Sequence, residues 1–498
     1  MIVSSSRHLP KVLAALLLCG CAVGPDFHRA VPTAAISYSP RKLVAHDSQQ
    51  QFSVGLDIPA QWWTLFHSRG LDGLVRRALA ANPSLQSARA AVSQARENLY
   101  AQEGGFFPNL TGTFEPTRNK TATRSVSYAA AQPTPYYNLV DAQLAVSYTP
   151  DLWGGTRRQV ENQAAQVQLQ RFQLEAAYLT LTTNLVTASV NEGSLRAQIA
   201  ATLRIIDLET ALLAILQKQY DLGQIAQVDV LAQRAALEQA RGTLPPLQRQ
   251  LDQQRDALAA LVGAPPDQVL PQVFTLGDLT LPKELPVSLP ASLADQRPDM
   301  RQAEENLRAA SASVGVAIAN RLPNFTLSAA GGSQSNYFSQ LFASGNGFWT
   351  IAATLTQPIF DGGTLLHRER AARAALEQAK AQYRSTTLSA YQNVADTLAA
   401  LEADADAVAA AKAARDAADG SLRIVRLQVS LGQVSYLGIL NAQQTALQAE
   451  LALIQATSAR FVDTAALFQS LGGGWWRRRD ADTPDLLSGD IASVVGLH

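Results

Sequence analysis

The chain has 498 residues, and its 41 basic and 41 acidic side chains give a formal net charge of zero. This balance gives no reason to expect nucleic acid or another acidic surface as the partner. Charged residues make up only 16% of the chain and hydrophobic residues 47%, a composition typical neither of a disordered polymer nor of a bundle of membrane-spanning helices.

The first twenty residues have the features of a secretory signal. The basic residues Arg7 and Lys11 precede an apolar run, Val12 to Leu18. The run is too short to span a bilayer as a helix. The run ends in Leu18-Cys19-Gly20-Cys21, and small residues before a cysteine suit a lipoprotein signal peptidase. We therefore expect residues 1–20 to be a lipoprotein signal peptide.

Cleavage after residue 20 would leave Cys21 as the lipidated first residue of the mature chain. The alternative is an ordinary cleaved signal without a lipid. Ala22 and Val23 follow, so the acidic residue that holds lipoproteins at the inner membrane is absent and the outer membrane is the expected destination. We expect residues 21–69 to form an extended, lipidated segment, and the mature chain has no second cysteine for a disulfide.

The remainder of the chain contains an internal repeat. Asn82-Pro83 corresponds to Arg297-Pro298, and Phe107-Pro108-Asn109 to Leu322-Pro323-Asn324, both at an offset of 215 residues. Landmarks in the same order at nearly constant spacing indicate duplication. We expect a first repeat over residues 70–263, a Pro-rich linker over 264–290, a second repeat over 291–474 and a flexible tail over 475–498.

Each repeat contains one very long predicted helix. From Thr156 to Leu222 and from Thr364 to Leu431 there is no proline and only one glycine. A helix of nearly seventy residues would be roughly 100 Å long. Each helix ends at a Leu-Gly-Gln turn and is followed by a return helix, from Val228 to Leu261 and from Val434 to Leu471, the first of which Pro245-Pro246 should break.

Two short segments of period two precede each long helix. Apolar residues alternate with polar ones from Val140 to Tyr148 and from Trp349 to Leu355, which predicts strands with one apolar and one polar face. Their partner strands should begin at Asn109 and Asn324. About ten residues is the length that a tilted transmembrane strand requires.

Four membrane strands cannot close a barrel, and an open sheet edge in lipid leaves backbone groups unpaired. Three copies would give twelve strands, which is wide enough for a lumen. The fold class is therefore mainly α with a membrane β-barrel. A homotrimer should complete the twelve-stranded barrel in outer-membrane lipid, and helices as long as those predicted could span the periplasm.

At this point the residues resemble the outer-membrane efflux proteins of the TolC and OprM kind, and within them the NodT-type lipoproteins. The resemblance is carried by Cys21 to Phe27, by Trp62 to Phe66, by Asn82-Pro83, by Phe107-Pro108 and by the Leu-Gly-Gln tips. It implies a homotrimeric exit duct for drugs or other small toxic molecules, in which the long helical hairpins form a periplasmic α-barrel. It also implies a periplasmic membrane-fusion adaptor and an inner-membrane transporter, commonly of the resistance-nodulation-division class.

The resemblance also implies functional positions near the two turns. Adaptor contacts would fall on the tip residues Leu222, Gly223, Gln224, Leu431, Gly432 and Gln433. The second tip of the family closes the tunnel through a leucine and an aspartate-arginine arrangement, and these positions align with Leu437, Asn441 and Gln444. Both charges are amides here, and a tyrosine common near this turn is Val429, so we expect a looser periplasmic gate.

Three other functions remain as alternatives. An enzyme is disfavoured because the six histidines are scattered and no nucleophile or phosphate-binding motif is present, so we expect no catalytic, cofactor or metal site. A periplasmic adaptor or structural coiled coil would need one hairpin and no membrane strands. A channel for protein secretion would have the same barrel, and the cargo is not encoded in the motifs.

Overall fold

The computed structural model describes residues 22–29, 38, 50–120, 136–268, 271–288 and 290–478. The predicted signal peptide, Cys21 and the tail beyond residue 478 lie outside the described residues. Among the described helices, none has an apolar stretch of the length needed to cross a bilayer.

The elements follow one another in an order that recurs. The first half contains β1 (Gln51–Val54), α1 (Arg69–Ala81), α2 (Pro83–Glu103), β2 (Asn109–Lys120), β3 (Tyr136–Tyr148), α3 (Gly155–Asp221) and α4 (Gln227–Leu261). The second half contains β4 (Glu284–Val287), α5 (Pro290–Gln296), α6 (Pro298–Ala319), β5 (Asn324–Ser335), β6 (Gly347–Thr356), α7 (Thr364–Ser430) and α8 (Tyr436–Ser470). A helix, two strands and a helical hairpin therefore occur twice, while the exact repeat boundaries stay predictions.

The two long helices agree with the sequence prediction to within one residue at each end. Asp151 fixes the start of α3, since its carboxylate accepts from the N–H groups of Thr156 at 3.0 Å and Arg157 at 2.8 Å. Asp361 does the same for α7 through Gly363 and Leu365. These backbone hydrogen bonds, the one from Leu365 above all, hold the pKa of Asp361 below its usual range.

The prediction that Pro245-Pro246 breaks the first return helix was wrong. Helix α4 continues through both prolines to Leu261. Its apolar side chains are buried on both sides of the pair, at Val230, Ala236 and Leu237 before it and at Leu258 and Ala259 after it. This packing along the hairpin outweighs the local cost of two missing backbone donors.

The four predicted strands form one antiparallel sheet in the order β2-β3-β5-β6. Its register aligns Leu144 with Gly112 on one side and with Gly331 on the other. Apolar side chains such as Leu110, Leu144, Trp349, Ile351 and Leu355 share one face and are more than half exposed. The opposite face carries mostly polar residues, so the predicted alternation is confirmed.

The main core lies where the helices of both halves meet the N-terminal segment. The side chains of Trp62, Trp63 and Phe66, which belong to one 3₁₀ turn, are almost fully buried. The Trp62 ring stacks on Phe468 with centroids 5.2 Å apart. The Pro-rich linker contains β4, which pairs in parallel with β1. This small sheet attaches the linker to the N-terminal segment.

The start of the expected flexible tail is instead packed. Trp475 to Arg477 form a 3₁₀ turn, and the Trp475 indole donates to the carbonyl of Gln296 at 2.7 Å. The Arg478 guanidinium donates to Glu175 at 2.9 Å and lies 3.9 Å from the centre of the Tyr178 ring. Aromatic and polar contacts with the helices therefore hold residues 475–478 in place.

Candidate functional site at the hairpin tips

The first predicted tip is a helix C-cap at the end of α3. Gly223 has φ +71°, and its N–H donates to the carbonyl of Tyr220 at 2.8 Å. The N–H of Gln224 donates to the carbonyl of Gln219 at 2.9 Å. These two bonds form a Schellman motif, which ends the helix at Leu222 and satisfies its last carbonyls.

The second tip has the same geometry at the end of α7. Gly432 has φ +69°, and its N–H donates to the carbonyl of Val429 at 3.0 Å, while Gln433 donates to Gln428 at 2.9 Å. A Cβ on either tip glycine would meet no atom within 4 Å. Glycine is therefore required at the tips for its backbone conformation and not for close packing.

Both tips expose apolar side chains. Leu222 is 64% exposed and Leu431 63%. Further exposed apolar residues lie within two turns of them, namely Val228, Leu231, Leu427 and Leu437. An apolar surface of this kind at the end of a hairpin is typical of a protein-protein contact.

An apolar cluster behind the tips joins the two hairpins. Leu212 and Leu216 of α3 pack with Val230 of α4 and Ile439 of α8. Val429, the position at which the family often has tyrosine, is half-buried against this cluster. In this protomer Val429 therefore contributes to the contact between hairpins.

Two polar contacts across the hairpins were not anticipated from the sequence. The Gln219 amide donates to the Tyr436 hydroxyl at 2.7 Å, and Arg204 pairs with Glu450 at 2.7 Å. The only signal that could have suggested the first was an aromatic residue directly after the second turn. The Gln219–Tyr436 bond links the end of α3 to the start of α8 and therefore couples one tip to the other.

Three of the four predicted gate residues lie along one side of α8, while Val429 lies at the end of α7. Leu437, Asn441 and Gln444 follow a helical spacing of four and then three residues, and all three are exposed. Within the described part of the chain, no hydrogen bond holds the side-chain amide of Asn441 or Gln444. Both amides are therefore accessible to a second protomer.

Two buried glutamines occupy equivalent positions in the two hairpins. Gln233 and Gln443 are 2% and 3% exposed, and the Gln233 amide donates to the backbone carbonyl of Glu209 at 3.2 Å. Burial raises the pKa of the Glu209 carboxyl above its usual range. Each follows an alanine at a matching place in the two halves, but no local pattern indicates that they are buried between helices.

The described residues next to the predicted lipid anchor lie beside the sheet. The N–H of Val23 donates to the carbonyl of Trp153 at 3.0 Å, in the turn between β3 and α3. A Cβ on Gly154 would lie 2.6 Å from Ala22, so glycine permits this close approach. The guanidinium of Arg158 donates to the Val23 carbonyl and pairs with Asp26, whose pKa this hydrogen bond lowers.

Within the described ranges, no group of three or more histidine, cysteine or acidic side chains could hold a metal ion. The functional features are instead a sheet with one apolar face and two helical hairpins of roughly 100 Å that end in exposed turns. This architecture defines a class of protein, the protomer of an outer-membrane channel.

The family is shown by comparison with known sequences. The family model described as outer membrane efflux protein matches residues 74–264 and 289–473, well over half of the chain, and the chain belongs to this family. It is an outer-membrane component of an efflux system. The two matched segments fall in the two halves in which the elements recur.

Individual relatives are similar over nearly their whole length. The pyoverdine export outer membrane protein OpmQ of Pseudomonas aeruginosa is 27% identical over 477 residues, which cover 95% of this chain and 98% of the relative. The toluene efflux pump outer membrane protein TtgC of Pseudomonas putida is 27% identical over 481 residues, 94% of this chain and 96% of the relative.

Solved structures show the same fold. The outer-membrane channel OprN matches with a TM-score of 0.82 and 26% identity, covering 91% of this chain and all of that chain. The open state of the MtrE channel of Neisseria gonorrhoeae matches with a TM-score of 0.78 and 26% identity, covering 93% of this chain and all of that chain.

Proposed function

We propose that the protein is the exit duct of a tripartite pump. Three copies form a continuous channel through the outer membrane and periplasm, and an inner-membrane transporter of the resistance-nodulation-division class drives small toxic molecules through it. Relatives named for pyoverdine export and toluene efflux support a small-molecule cargo. The protein is a passive conduit, since energy is supplied by the transporter.

The two unpaired edge strands of the sheet support a homotrimer. Strands β2 and β6 are both edges, and open edges are not stable in lipid. Within the chain, the turn after β3 is covered, since the Trp153 indole donates to the carbonyl of Pro323 before β5 at 2.7 Å. The equivalent turn after β6 leaves Ile359 and Phe360 91% exposed. By analogy with the covered turn after β3, we expect the next protomer's β2, preceded by Pro108, to lie against this turn.

The exposed tips support adaptor binding. Leu222 and Leu431, with the flanking Gly-Gln pairs, lie at the end of the hairpins farthest from the sheet, where a periplasmic adaptor could reach them. We assign the adaptor contact to these two tips. Their apolar character favours packing against adaptor hairpins over an ionic interaction.

A pair of matched variants tests the assembly and the adaptor contact separately. Phe360→Asp should lower the mass of the purified complex from trimer to monomer and abolish single-channel conductance in planar bilayers. Leu222→Asp should leave the trimer and its conductance intact but abolish drug resistance in cells that carry the whole pump. A wild-type protein that is monomeric and never conducts would refute the proposed channel.

The gate assignment predicts a weaker resting closure than in channels with a charged latch. Asn441 and Gln444 can form amide hydrogen bonds between protomers, which are weaker than charge-assisted ones. The double variant Asn441→Asp with Gln444→Arg should therefore conduct less at rest than the wild type. A wild-type conductance no higher than that of the charged variant would contradict the assignment.

A further inference from the structure

The four charged side chains of the sheet are divided between its two faces. Glu115 is the register partner of Asp141, and both lie on the polar face. Arg118 and Lys120 lie on the opposite face, which they share with Phe114, because side chains alternate along β2. No other charged residue occurs in the described strands of the sheet or in residues 336–346, so the apolar face carries cations only.

The position of the two cations decides what they can bind. A basic residue on a lipid-facing strand is strongly destabilising at the bilayer midplane but nearly neutral near the interface. Arg118 and Lys120 lie at the C-terminal end of β2, where the strands are farthest from the helical hairpins. In the proposed channel this end of the sheet is extracellular, and anionic head groups attract basic side chains there.

An apolar groove lies on the same face below the cations. It has a volume of about 570 Å³, and its floor contains Gly112, Ala142 and Gly331, which have little or no side chain. Leu144 and Phe342 form its walls, and Phe342 is 85% exposed. A face of this shape can accept a thin apolar chain.

The segment between β5 and β6, which carries Phe342, is fixed against the apolar face by two contacts. The Ser333 hydroxyl donates to the carbonyl of Leu341, which is buried. The Phe338 ring meets Phe114 edge to face with centroids 6.2 Å apart. The segment is therefore bent over the apolar face and carries its aromatic side chains with it.

The distance between the groove and the cations fits a single lipid molecule. Phe114 and Arg118 are four residues apart, about 13 Å along the strand. A strand tilt of about 40° reduces this to a depth of about 10 Å, less than the roughly 15 Å of one hydrocarbon leaflet. A phosphate at Arg118 and an acyl chain in the groove can therefore belong to one lipid of the outer leaflet.

We propose that this face binds a phosphorylated, acylated glycolipid of the lipid A type from the extracellular leaflet. Arg118 and Lys120 bind its phosphate, and an acyl chain occupies the groove over Gly112, Ala142 and Gly331. Lys120 lies 5.4 Å from the centre of the Tyr136 ring, an aromatic position suited to the membrane interface. The site rests on the proposed orientation of the sheet in the outer membrane.

Titration of the full-length trimer in neutral detergent with bisphosphorylated lipid A tests the site. The double variant Arg118→Gln with Lys120→Gln should bind about thirtyfold more weakly, since it removes two basic residues that each contribute on the order of 1 kcal/mol near a lipid surface. A matched control, Arg368→Gln with Arg370→Gln on the exposed surface of α7, makes the same charge change and should leave the affinity unchanged.

Two further measurements separate the parts of the proposal. Gly112→Leu keeps both cations but fills the groove, and its Cβ would make only an ordinary 3.5 Å contact with Leu144, so the variant should fold and bind more weakly. Dephosphorylated lipid A should bind the wild type no better than the Arg118/Lys120 variant binds the intact lipid.

Equal affinity of the wild type and the Arg118/Lys120 variant would overturn the site. Phosphatidylglycerol that binds as tightly as lipid A would overturn the commitment to a glycolipid. Conductance and mass, measured on the same preparations, show independently whether the trimeric channel is present. A failed lipid titration with an intact conducting trimer would therefore refute the lipid site alone.

Discussion

At the scale of single residues, Gly432 and Gly474 have almost the same backbone conformation, with φ of +69° and +73°. Their surroundings differ. A Cβ on Gly432 would meet nothing within 4 Å, whereas one on Gly474 would lie 2.6 Å from the carbonyl oxygens of Ile58 and Pro59. Replacing each glycine with alanine therefore separates the cost of backbone conformation from the cost of close packing.

Gly432→Ala should lower the free energy of unfolding by about 1 kcal/mol, the usual cost of a left-handed conformation for a residue with a Cβ. Gly474→Ala adds a collision with backbone and should cost more than about 3 kcal/mol. The thermal midpoint of trimer dissociation, followed on gels, measures both. Equal midpoints for the two variants would contradict this reading of the C-terminal packing.

A pair of carboxyl groups between α7 and α8 is another residue-scale feature. Burial, followed by the hydrogen bond and negative charge of Asp463, raises the pKa of Asp404 to about 7, and Arg460 acts in the opposite sense. Between pH 3.8 and about 7 the folded chain therefore binds more protons than the unfolded chain. Stability from this group is present at low pH and is lost as the pH rises.

Asp404→Asn should remove that dependence. At pH 8 the variant should be more stable than the wild type by roughly 1–2 kcal/mol, and at pH 4 the two should be nearly equal. Dissociation midpoints measured from pH 4 to pH 8 give the comparison. A constant difference across this range would show that the pair does not share a proton in the folded protein.

At the scale of elements, the hairpins are coupled at their tips by the Gln219–Tyr436 hydrogen bond and by the apolar cluster around Leu216 and Ile439. Tyr436 begins α8, the helix that carries the predicted gate residues. A change at this contact should therefore reach the gate without altering its side chains.

Tyr436→Phe removes one hydrogen bond and retains the packing of the ring. This should lower the free-energy cost of moving the second hairpin by about 1 kcal/mol. We expect the open probability in planar bilayers to rise about fivefold. Tyr220→Phe is the control, since Tyr220 is an exposed tyrosine near the first tip with only its backbone in the tip hydrogen bonds. An unchanged open probability in Tyr436→Phe would place gating elsewhere.

At the scale of the whole molecule, the predicted lipid anchor and the sheet lie close together. Ala22 contacts Gly154 in the turn that follows β3, so a lipid on the preceding Cys21 would enter the membrane next to the strands. The anchor and the barrel then hold the same end of the protein in the same bilayer.

Cys21→Ala should abolish labelling by radioactive palmitate while leaving conducting trimers in the outer membrane, because the twelve strands of the proposed trimer would anchor it without the lipid. The yield of membrane-inserted trimer should fall less than about threefold. Palmitate label that persists in the variant would disprove lipidation at Cys21. Loss of all trimer would show that the lipid is needed for assembly.

The sequence by itself determined the two long helices, the four strands of the sheet and their order along the chain. Uninterrupted helical composition located α3 and α7, alternation located β3 and β6, and Asn109 and Asn324 marked where β2 and β5 begin. These features depend on neighbours along the chain, such as proline, glycine and the period of apolar residues. The tip and gate assignments came from a resemblance, and they stay predictions.

Only the tertiary structure decided how distant segments act on one another. Helix α4 continues through Pro245-Pro246 because burial on both sides stabilises it, and Trp475 is ordered because Gln296 and Phe172 receive its ring. The Gln219–Tyr436 bond joins residues 217 positions apart. Local patterns cannot specify such contacts, since they depend on the free energy of packing between elements that the fold brings together.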